Sequence, residues 1–132
     1  MELHPQLIQF GGSLIAILVL AGIAWALKLG GKPKLHDDAD VARVADEAED
    51  GFVAGRFSIS RDGAAALARD QAGRIMVIKR HGNRFVGRTL NSRARCREEV
   101  DGLVVDTAEA AFGSVRLSLI DASYWADAIN RL

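Results

Sequence analysis

The feature that most constrains this chain is an apolar run from Leu7 to Leu27 that contains no charged side chain. At 1.5 Å per residue, a helix of this length spans about 30 Å, the thickness of the hydrocarbon core of a bilayer. A helix satisfies its own backbone hydrogen bonds and can therefore cross lipid, whereas an irregular chain cannot. The sequence predicts a transmembrane helix over residues 7–27, and membrane lipid is the first predicted partner.

The charges on either side of the run predict its orientation. Residues 1–6 include Glu2 and no Lys or Arg, whereas Lys28, Lys32 and Lys34 follow the run closely. Because positive charge stays preferentially on the cytoplasmic side, we expect the N-terminus to be exported and the C-terminal domain to be cytoplasmic. This predicts a single-pass protein of the inner (plasma) membrane. Abundant Ala, Arg, Gly and Asp with few Lys residues suggest a GC-rich bacterial source.

The same run has a second interpretation, as a secretory signal that is cleaved to release an exported domain. Ala24-Trp25-Ala26 fits the small-residue pattern of a cleavage site. A retained anchor is favoured because residues 1–6 lack the positive charge of a signal and because the run exceeds a typical signal core. Within the run, the pairs Gly12/Ala16 and Gly22/Ala26 are small residues one helical turn apart, a spacing that lets two membrane helices form a homodimer.

A linker and an acidic segment follow the apolar run. The juxtamembrane linker, residues 28–37, contains Gly and Pro residues that stop a helix from continuing. The segment 38–50 predicts an acidic helix, because Asp37 or Asp38 can cap it, its apolar residues share one face and Gly51 ends it. The opposite face is typical of a solvated surface; its acidic residues are Asp40, Asp46, Glu47 and Asp50.

Residues 51–132 predict an antiparallel β domain with a C-terminal helix. Phe57 and Ile59 alternate with polar neighbours, as in a half-buried strand, whereas the segment 75–78 is apolar on both faces and predicts a central strand. Turn sequences such as Arg61-Asp62-Gly63 recur at a spacing of about ten residues. The other predicted strands are 64–68, 85–90, 93–97, 103–105 and 115–119, and the helix, capped by Asp121 or Ser123, presents Tyr124, Trp125, Ala128, Ile129 and Leu132 to the core.

The order of these elements narrows the fold class. No strand pair leaves room for a helical crossover, so we expect one continuous antiparallel meander of six or seven strands. Six or seven short strands followed by one helix resemble the pleckstrin-homology-like layout in element order, which implies a roll with the helix over one open end or face. A simple meander or a split barrel also fits. The hairpins resemble propeller blades too, but about two blades are too few to close a ring.

The chain has no net charge, but its positive charge is concentrated in one stretch. A basic strip beside a membrane can attract anionic lipid, contact an acidic protein partner or be neutralised by the acidic helix, and a solvated strand face is the structural alternative. Nucleic acid is not predicted, because the chain lacks a helix-turn-helix pattern and aromatic residues arranged for base stacking. The basic strip consists of Arg74, Lys79, Arg80, Arg84, Arg88, Arg93, Arg95 and Arg97, with no Asp or Glu among them.

No metal site or reactive cysteine is predicted. Cys96, the single cysteine, lies between Arg95 and Arg97, whose charge favours a thiolate where the sulfur is exposed. In an alternating strand, however, the Cys96 side chain points away from both arginines and into the domain. The histidines His36 and His81 occupy a linker and a turn, and they do not form a metal-ligand pattern.

Catalytic motifs are likewise not predicted, nor is a cofactor. Gly31-Lys32 matches only the end of a phosphate-binding loop, and no G-x-S-x-G elbow occurs. Ser58 and Ser60 are expected at outward strand positions, and Asp62 is a turn residue, so these side chains do not predict a triad.

These observations favour a non-enzymatic accessory protein. An anchor, a small β domain and no recognisable site chemistry together predict a membrane-tethered module that binds a protein partner or a membrane complex. The alternative is a module that binds anionic lipid through the basic strip. An enzyme with an unrecognised site is the third hypothesis.

Overall fold

The structure, a computed structural model, describes residues 5–30 and 33–132, with side chains described for 6–25 and 33–132. The chain divides into two compact units, Met1–Lys32 and Pro33–Leu132. Residues 1–4 of the predicted exported terminus and residues 31–32 of the predicted linker lie outside the described residues. The helices are α1 (Pro5–Gly30), α2 (Asp38–Ala48) and α3 (Ala122–Asn130), and the strands are β1 (Ala54–Ile59), β2 (Ala65–Asp70), β3 (Ile75–His81), β4 (Arg84–Thr89), β5 (Arg95–Glu99), β6 (Gly102–Asp106) and β7 (Ser114–Leu117).

The first unit contains the predicted apolar helix. The segment Gln6–Trp25 of α1 has a mean hydropathy of 2.2 and no buried residue, and it is long and apolar enough to cross a membrane. Its length and composition also suit a signal sequence. The helix therefore does not by itself establish that the chain spans a membrane or in which orientation. A methyl group added at Gly12 or Gly22 would meet nothing within 4 Å. The side chains of Ala26, Lys28 and Lys32, on which the dimer and orientation predictions partly depend, lie outside the described side chains.

The helix α2 begins where the sequence predicts. The Asp40 N–H donates to the Asp37 carboxylate at 2.9 Å, so Asp37 is the capping residue. The helix ends at Ala48, because the chain then turns through Gly51, which has a φ of +78° that favours glycine. The face of α2 that carries Val41, Val44 and Ala45 is buried.

The first four strands form an antiparallel sheet in the order β1-β2-β3-β4. The central position of β3 is confirmed, and all four residues of its segment 75–78 are fully buried. Ile75 and Val77 pack into a core cluster with the second sheet and α3, whereas Met76 and Ile78 pack into a cluster with α2. β3 therefore separates two cores, and this explains why both of its faces are apolar.

The last three strands form a second antiparallel sheet in the order β5-β6-β7. The antiparallel strands are confirmed, but they form two sheets rather than one continuous meander. The chain leaves the first sheet at a turn in which Asn91 accepts the Arg93 N–H through its side chain and the Ala94 N–H through its carbonyl. Ala94 is then fully buried in the core that lies against the first sheet. β5 lies at one edge of this sheet.

Two glycines permit close packing in these layers. A side chain at Gly87 would stand 2.8 Å from the Met76 sulfur and 3.1 Å from Ala48 Cβ, so glycine lets α2 approach β4. A side chain at Gly102 would overlap the carbonyl oxygen of Leu117, so β6 and β7 depend on glycine there.

The C-terminal helix α3 is confirmed, and it covers part of the second sheet. Trp125 and Ile129 are fully buried, as the apolar stripe predicts. Asp121 occupies the N-cap position, but its side chain makes no capping hydrogen bond. It points instead toward β1, where it contributes to a polar cluster.

Candidate functional site

The predicted basic strip does not form one continuous surface. Arg74 lies in the β2–β3 turn, Lys79 and Arg80 in β3, and Arg84 and Arg88 in β4. The other three members belong to the second sheet or to the turn that leads into it, and these are Arg93, Arg95 and Arg97. The contacts of these side chains divide the strip further into structural and unpaired cations.

Arg74 is held by two acidic side chains of the domain. Its Nε donates to Asp70 at 2.6 Å, and its Nη1 donates to Glu49 at 3.2 Å. The Glu49 carboxylate also accepts the Thr89 hydroxyl. Burial opposes ionisation of Asp70, but hydrogen bonds from Arg74 and its charge outweigh that effect and hold the pKa of Asp70 below its ordinary value. Among the described residues of 38–50, only Glu49 pairs with the strip, so the acidic segment neutralises one arginine.

Lys79 and Arg88 hold the loop between β6 and β7. Lys79 Nζ donates to the Phe112 carbonyl and lies 4.4 Å from the centre of the Phe112 ring. Arg88 Nε donates to Glu109 at 3.1 Å, and its guanidinium carbon lies 5.5 Å from the same ring. These two cations therefore attach the loop to the first sheet.

The three arginines near β5 are exposed. Arg95 donates to the carbonyls of Ser92 and Ala94 at 2.8 Å each, so it closes its own turn. Arg97 contacts Glu99 at 3.4 Å. In the residues that the structure describes, the Arg93 side chain has no ion-pair partner.

Cys96, between these arginines, packs partly against the main core cluster, as the alternation predicts. Burial, with a smaller contribution from the charge of Glu98, raises the pKa of Cys96 to about 11. The thiol therefore stays protonated at neutral pH, and the flanking arginines do not activate it.

Arg80 and Arg84 lie near the segment through which the chain enters the domain. Arg80 Nη1 donates to the Pro33 carbonyl at 2.9 Å, and the Leu35 N–H donates to the Gly63 carbonyl at 2.8 Å. A side chain at Gly63 would stand 2.9 Å from Lys34 Cβ, so glycine lets the entering chain pack on the β1–β2 turn.

An open cleft of about 350 Å³ lies beside this entering segment. We call it the entry cleft. Its polar and charged lining consists of Lys34, Arg43, Glu47, Asn83 and Arg84, and its apolar lining of Pro33, Leu35, Val44 and Phe85.

A second surface is apolar. Val100, in the β5–β6 turn, is 100% exposed, and Ile120, after β7, is 93% exposed. The Ser118 hydroxyl, two residues before Ile120, donates at 3.1 Å to the carbonyl of Asp101, the residue after Val100. A groove of about 470 Å³ is lined by Glu99–Leu103, which include Val100, and by Arg116–Ser118. We call this groove, together with Ile120 just after it in the chain, the apolar rim.

The two serines do not occupy the outward positions that alternation predicts. Ser58 Oγ donates to Asp121 at 2.6 Å and accepts the Trp125 indole N–H at 2.8 Å. Ser60 is buried, and its hydroxyl accepts the Ser118 N–H at 3.0 Å. α3 covers Ser58, and the chain at the end of β7 contacts Ser60. The two serines therefore lie at an internal contact, which we call the seam, rather than facing solvent.

This seam attaches α3 to the first sheet. Arg56 contacts Asp121 at 3.7 Å, and its guanidinium carbon lies 3.4 Å from the centre of the Tyr124 ring. Arg69 donates to the Tyr124 hydroxyl at 2.7 Å. No histidine is among these partners, so the cluster lacks the base of a serine triad and fits a structural role.

His36 and His81 are both exposed. Within the described residues, no three His, Cys, Asp or Glu side chains come together in a way that could hold a metal ion.

The sequence identifies Arg84 as a candidate site residue but does not identify three other residues that line the entry cleft with it. Lys34 reads in the sequence only as a membrane-flanking charge, and Arg43 and Glu47 only as residues of the acidic segment. Their shared cleft depends on how α2 lies across the sheet. The sequence predicts the Asp62-Gly63 turn, where Gly63 has a φ of +70°, but only the structure shows that the entering chain packs on that turn.

Compared with known proteins, the chain matches no family model, no curated protein and no solved structure.

Proposed function

We propose that this chain is a non-enzymatic, single-pass accessory protein that presents a small β domain to a protein partner at a membrane surface. The observation that carries the proposal is the apolar rim. Among residues 33–132, the exposed large apolar side chains are Val53, Val100 and Ile120. Val100 lines the groove of the apolar rim, and Ile120 comes two residues after Ser118, which also lines it.

Solvent exposure of the apolar rim is unfavourable for a monomer. Val100 and Ile120 are β-branched side chains on short connections that are held by backbone and hydroxyl contacts, including the bond from Arg61 N–H to the Ser118 carbonyl at 3.1 Å. Burial of such side chains against a partner contributes about 1.5–3 kcal/mol each. Clustered exposed apolar groups are typical of a binding surface, whereas single ones are ordinary.

The anchor supports the same proposal. α1 supplies an apolar helix of membrane-spanning length, and confinement to a surface raises the effective concentration of a tethered domain. We place the domain in the cytoplasm at the inner membrane, because the cationic residues in the sequence follow the run rather than precede it. The finer fold assignment, a pleckstrin-homology-like roll, is also a proposal, and it is supported by the order of four strands, three strands and a C-terminal helix.

Site-specific photocrosslinking in native membranes tests this function. A benzophenone amino acid at Val100 or Ile120 should give adducts with one protein partner, and the same probe at Val53, which is 73% exposed, is the matched control. Mass spectrometry identifies the adducts. The proposal fails if Val100 and Ile120 give no protein adduct, or if Val53 gives the same adducts with the same yield.

The alternative function, lipid binding through the whole basic strip, is less well supported by the contacts. Arg74, Lys79 and Arg88 are engaged within the domain, and Arg95 lies in the second sheet with Arg93 in the turn before it. Arg84, in contrast, is exposed and lines the entry cleft.

A further inference from the structure

The entry cleft brings together three cationic side chains from three parts of the chain. Lys34 comes from the segment before α2, Arg43 from α2 and Arg84 from the start of β4. One acidic side chain, Glu47, lines the same cleft. The cleft therefore carries an excess of positive charge at neutral pH.

The domain itself leaves most of this charge available. Within residues 33–132, neither Lys34 nor Arg84 forms an ion pair. Arg43 contacts Asp40 at 3.6 Å, but its own side chain is 67% exposed, and such exposed pairs are weak. Lys34 and Arg84 are thus free to bind an external anion, and Arg43 can exchange its weak contact with Asp40 for such an anion.

The neighbouring turn adds charge of the same sign. Arg61 is exposed and unpaired among the described residues, and it lies in the β1–β2 turn to which the entering chain is bonded at Gly63. Asp62, the acidic residue of that turn, uses its carboxylate to accept the Ala64 N–H at 3.0 Å. Arg80 contributes from the other side through its bond to Pro33.

The covalent chain restricts where this surface can be. Gly30 ends α1, and Pro33 begins the domain three residues later. A fully extended segment of that length reaches about 10 Å. If a bilayer holds α1, as the proposed function requires, Pro33, one of the residues that line the entry cleft, is tethered within that reach of Gly30.

We propose that the entry cleft binds the phosphate group of an anionic phospholipid in the membrane that holds α1. Lys34 supplies a compact ammonium charge, and Arg43 and Arg84 supply planar guanidinium groups that suit phosphate oxygens. The apolar walls from Val44 and Phe85 suit the glycerol and first acyl carbons of the lipid. This contact fixes one end of the domain on the membrane surface.

Spin labelling of the full-length chain in nanodiscs tests the proposal. A nitroxide is attached at Asn83→Cys in a Cys96→Ala background, and its collisions with the neutral aqueous relaxant NiEDDA are measured. Nanodiscs of phosphatidylcholine alone are compared with nanodiscs of equal parts phosphatidylcholine and phosphatidylglycerol. We expect the anionic nanodiscs to reduce NiEDDA accessibility severalfold, and about 1 M salt to restore it, because screening then limits charge interactions to about 3 Å.

Matched charge reversals separate the cleft from general attraction to the membrane. In Lys34→Glu/Arg84→Glu, the ratio of docked to undocked domain should fall at least about tenfold, since each basic residue near an anionic surface contributes about 1 kcal/mol. Arg93→Glu/Arg95→Glu changes the charge equally at two exposed residues, one in the turn before β5 and one in β5, and it should retain the protection. A label at Ala72→Cys, in the β2–β3 turn at the opposite end of the first sheet, should not respond to phosphatidylglycerol.

Three outcomes would overturn the proposal. These are a label at position 83 that is indifferent to phosphatidylglycerol, protection that survives Lys34→Glu/Arg84→Glu, and equal loss in both charge-reversal variants. None of these residues belongs to the apolar rim, so photocrosslinking from Val100 and Ile120 reports separately on the proposed partner function. Resistance of the full-length chain to alkaline carbonate extraction reports separately on membrane insertion.

Discussion

α1 and β3 both contain runs of consecutive apolar side chains, but these side chains are buried in β3 and exposed in α1. The four residues of the segment 75–78 in β3 are 0% exposed, because α2 covers one face and the second sheet with α3 covers the other. In α1, the large apolar side chains are between 48% exposed at Leu14 and 70% exposed at Phe10. Apolar composition alone therefore does not distinguish a segment that supplies a core from one that is long and apolar enough to cross a membrane.

The largest effect is expected from a charge placed in β3. Ile78→Asp puts a carboxylate among Met76, Val41 and their neighbours with no partner, and we expect a loss of at least about 4 kcal/mol and an unfolded domain. Thermal unfolding of the full-length chain in detergent, followed by circular dichroism, measures this. Ile120→Asp, at a 93% exposed position, is the control and should change stability by less than about 0.5 kcal/mol. A folded Ile78→Asp would show that the two-core arrangement around β3 is wrong.

A smaller effect is expected from the same kind of change in α1. Leu18→Arg places a charge near the middle of the apolar helix, which costs about 3 kcal/mol for insertion into a bilayer. We expect less of the variant in the carbonate-resistant membrane fraction, with unchanged unfolding of the β domain. If wild-type protein is itself released by alkaline carbonate, the comparison fails, because α1 is then covered by something other than lipid.

The smallest effect on stability is expected at Asp70, a nearly buried carboxylate that is paired with Arg74. The Asp70 side chain is 6% exposed, yet Arg74 holds its pKa below the ordinary value. A carboxyl with a lowered folded-state pKa contributes stability above its unfolded pKa of about 4, and this contribution is lost as the pH falls through the folded value.

Asp70→Asn should therefore lower stability by about 1 kcal/mol at pH 7, a modest figure because Arg74 is 41% exposed. The difference between Asp70→Asn and the wild type should shrink in denaturant titrations as the pH is lowered below about 4. A difference that is constant with pH would mean that the loss comes from packing rather than from the ionised pair.

The sequence predicts local features well and fails where separate segments meet. The two-sided apolar pattern of 75–78 and the cap at Asp37 are local properties, and the structure has both. The alternation predicted for β1 is not observed, because Phe57, Ser58 and Ile59 are all partly buried. The break between the two sheets depends on the turn at Asn91 and on burial of Ala94, neither of which has a strong local signal. Ser58 has the pattern of an outward residue, and its partner Asp121 is far away in the chain.

The candidate surfaces follow the same division. The basic strip is recognisable because its residues are close in sequence, but the contacts of Lys79 with Phe112 and of Arg88 with Glu109 are long-range and cannot be predicted from spacing. The entry cleft is invisible in the sequence for the converse reason, since Lys34, Arg43 and Arg84 are close only after α2 packs on the sheet.

Gly102 has a consequence for the genetics of this protein. Because β7 backbone fills the space that any side chain at position 102 would need, almost every missense change there should displace the hairpin tip that carries Val100. In a saturation screen for partner loss, position 102 would then score together with positions 100 and 120. Cellular abundance would separate them, since variants at 102 should be depleted by proteolysis, whereas polar replacements at the two exposed positions should accumulate normally.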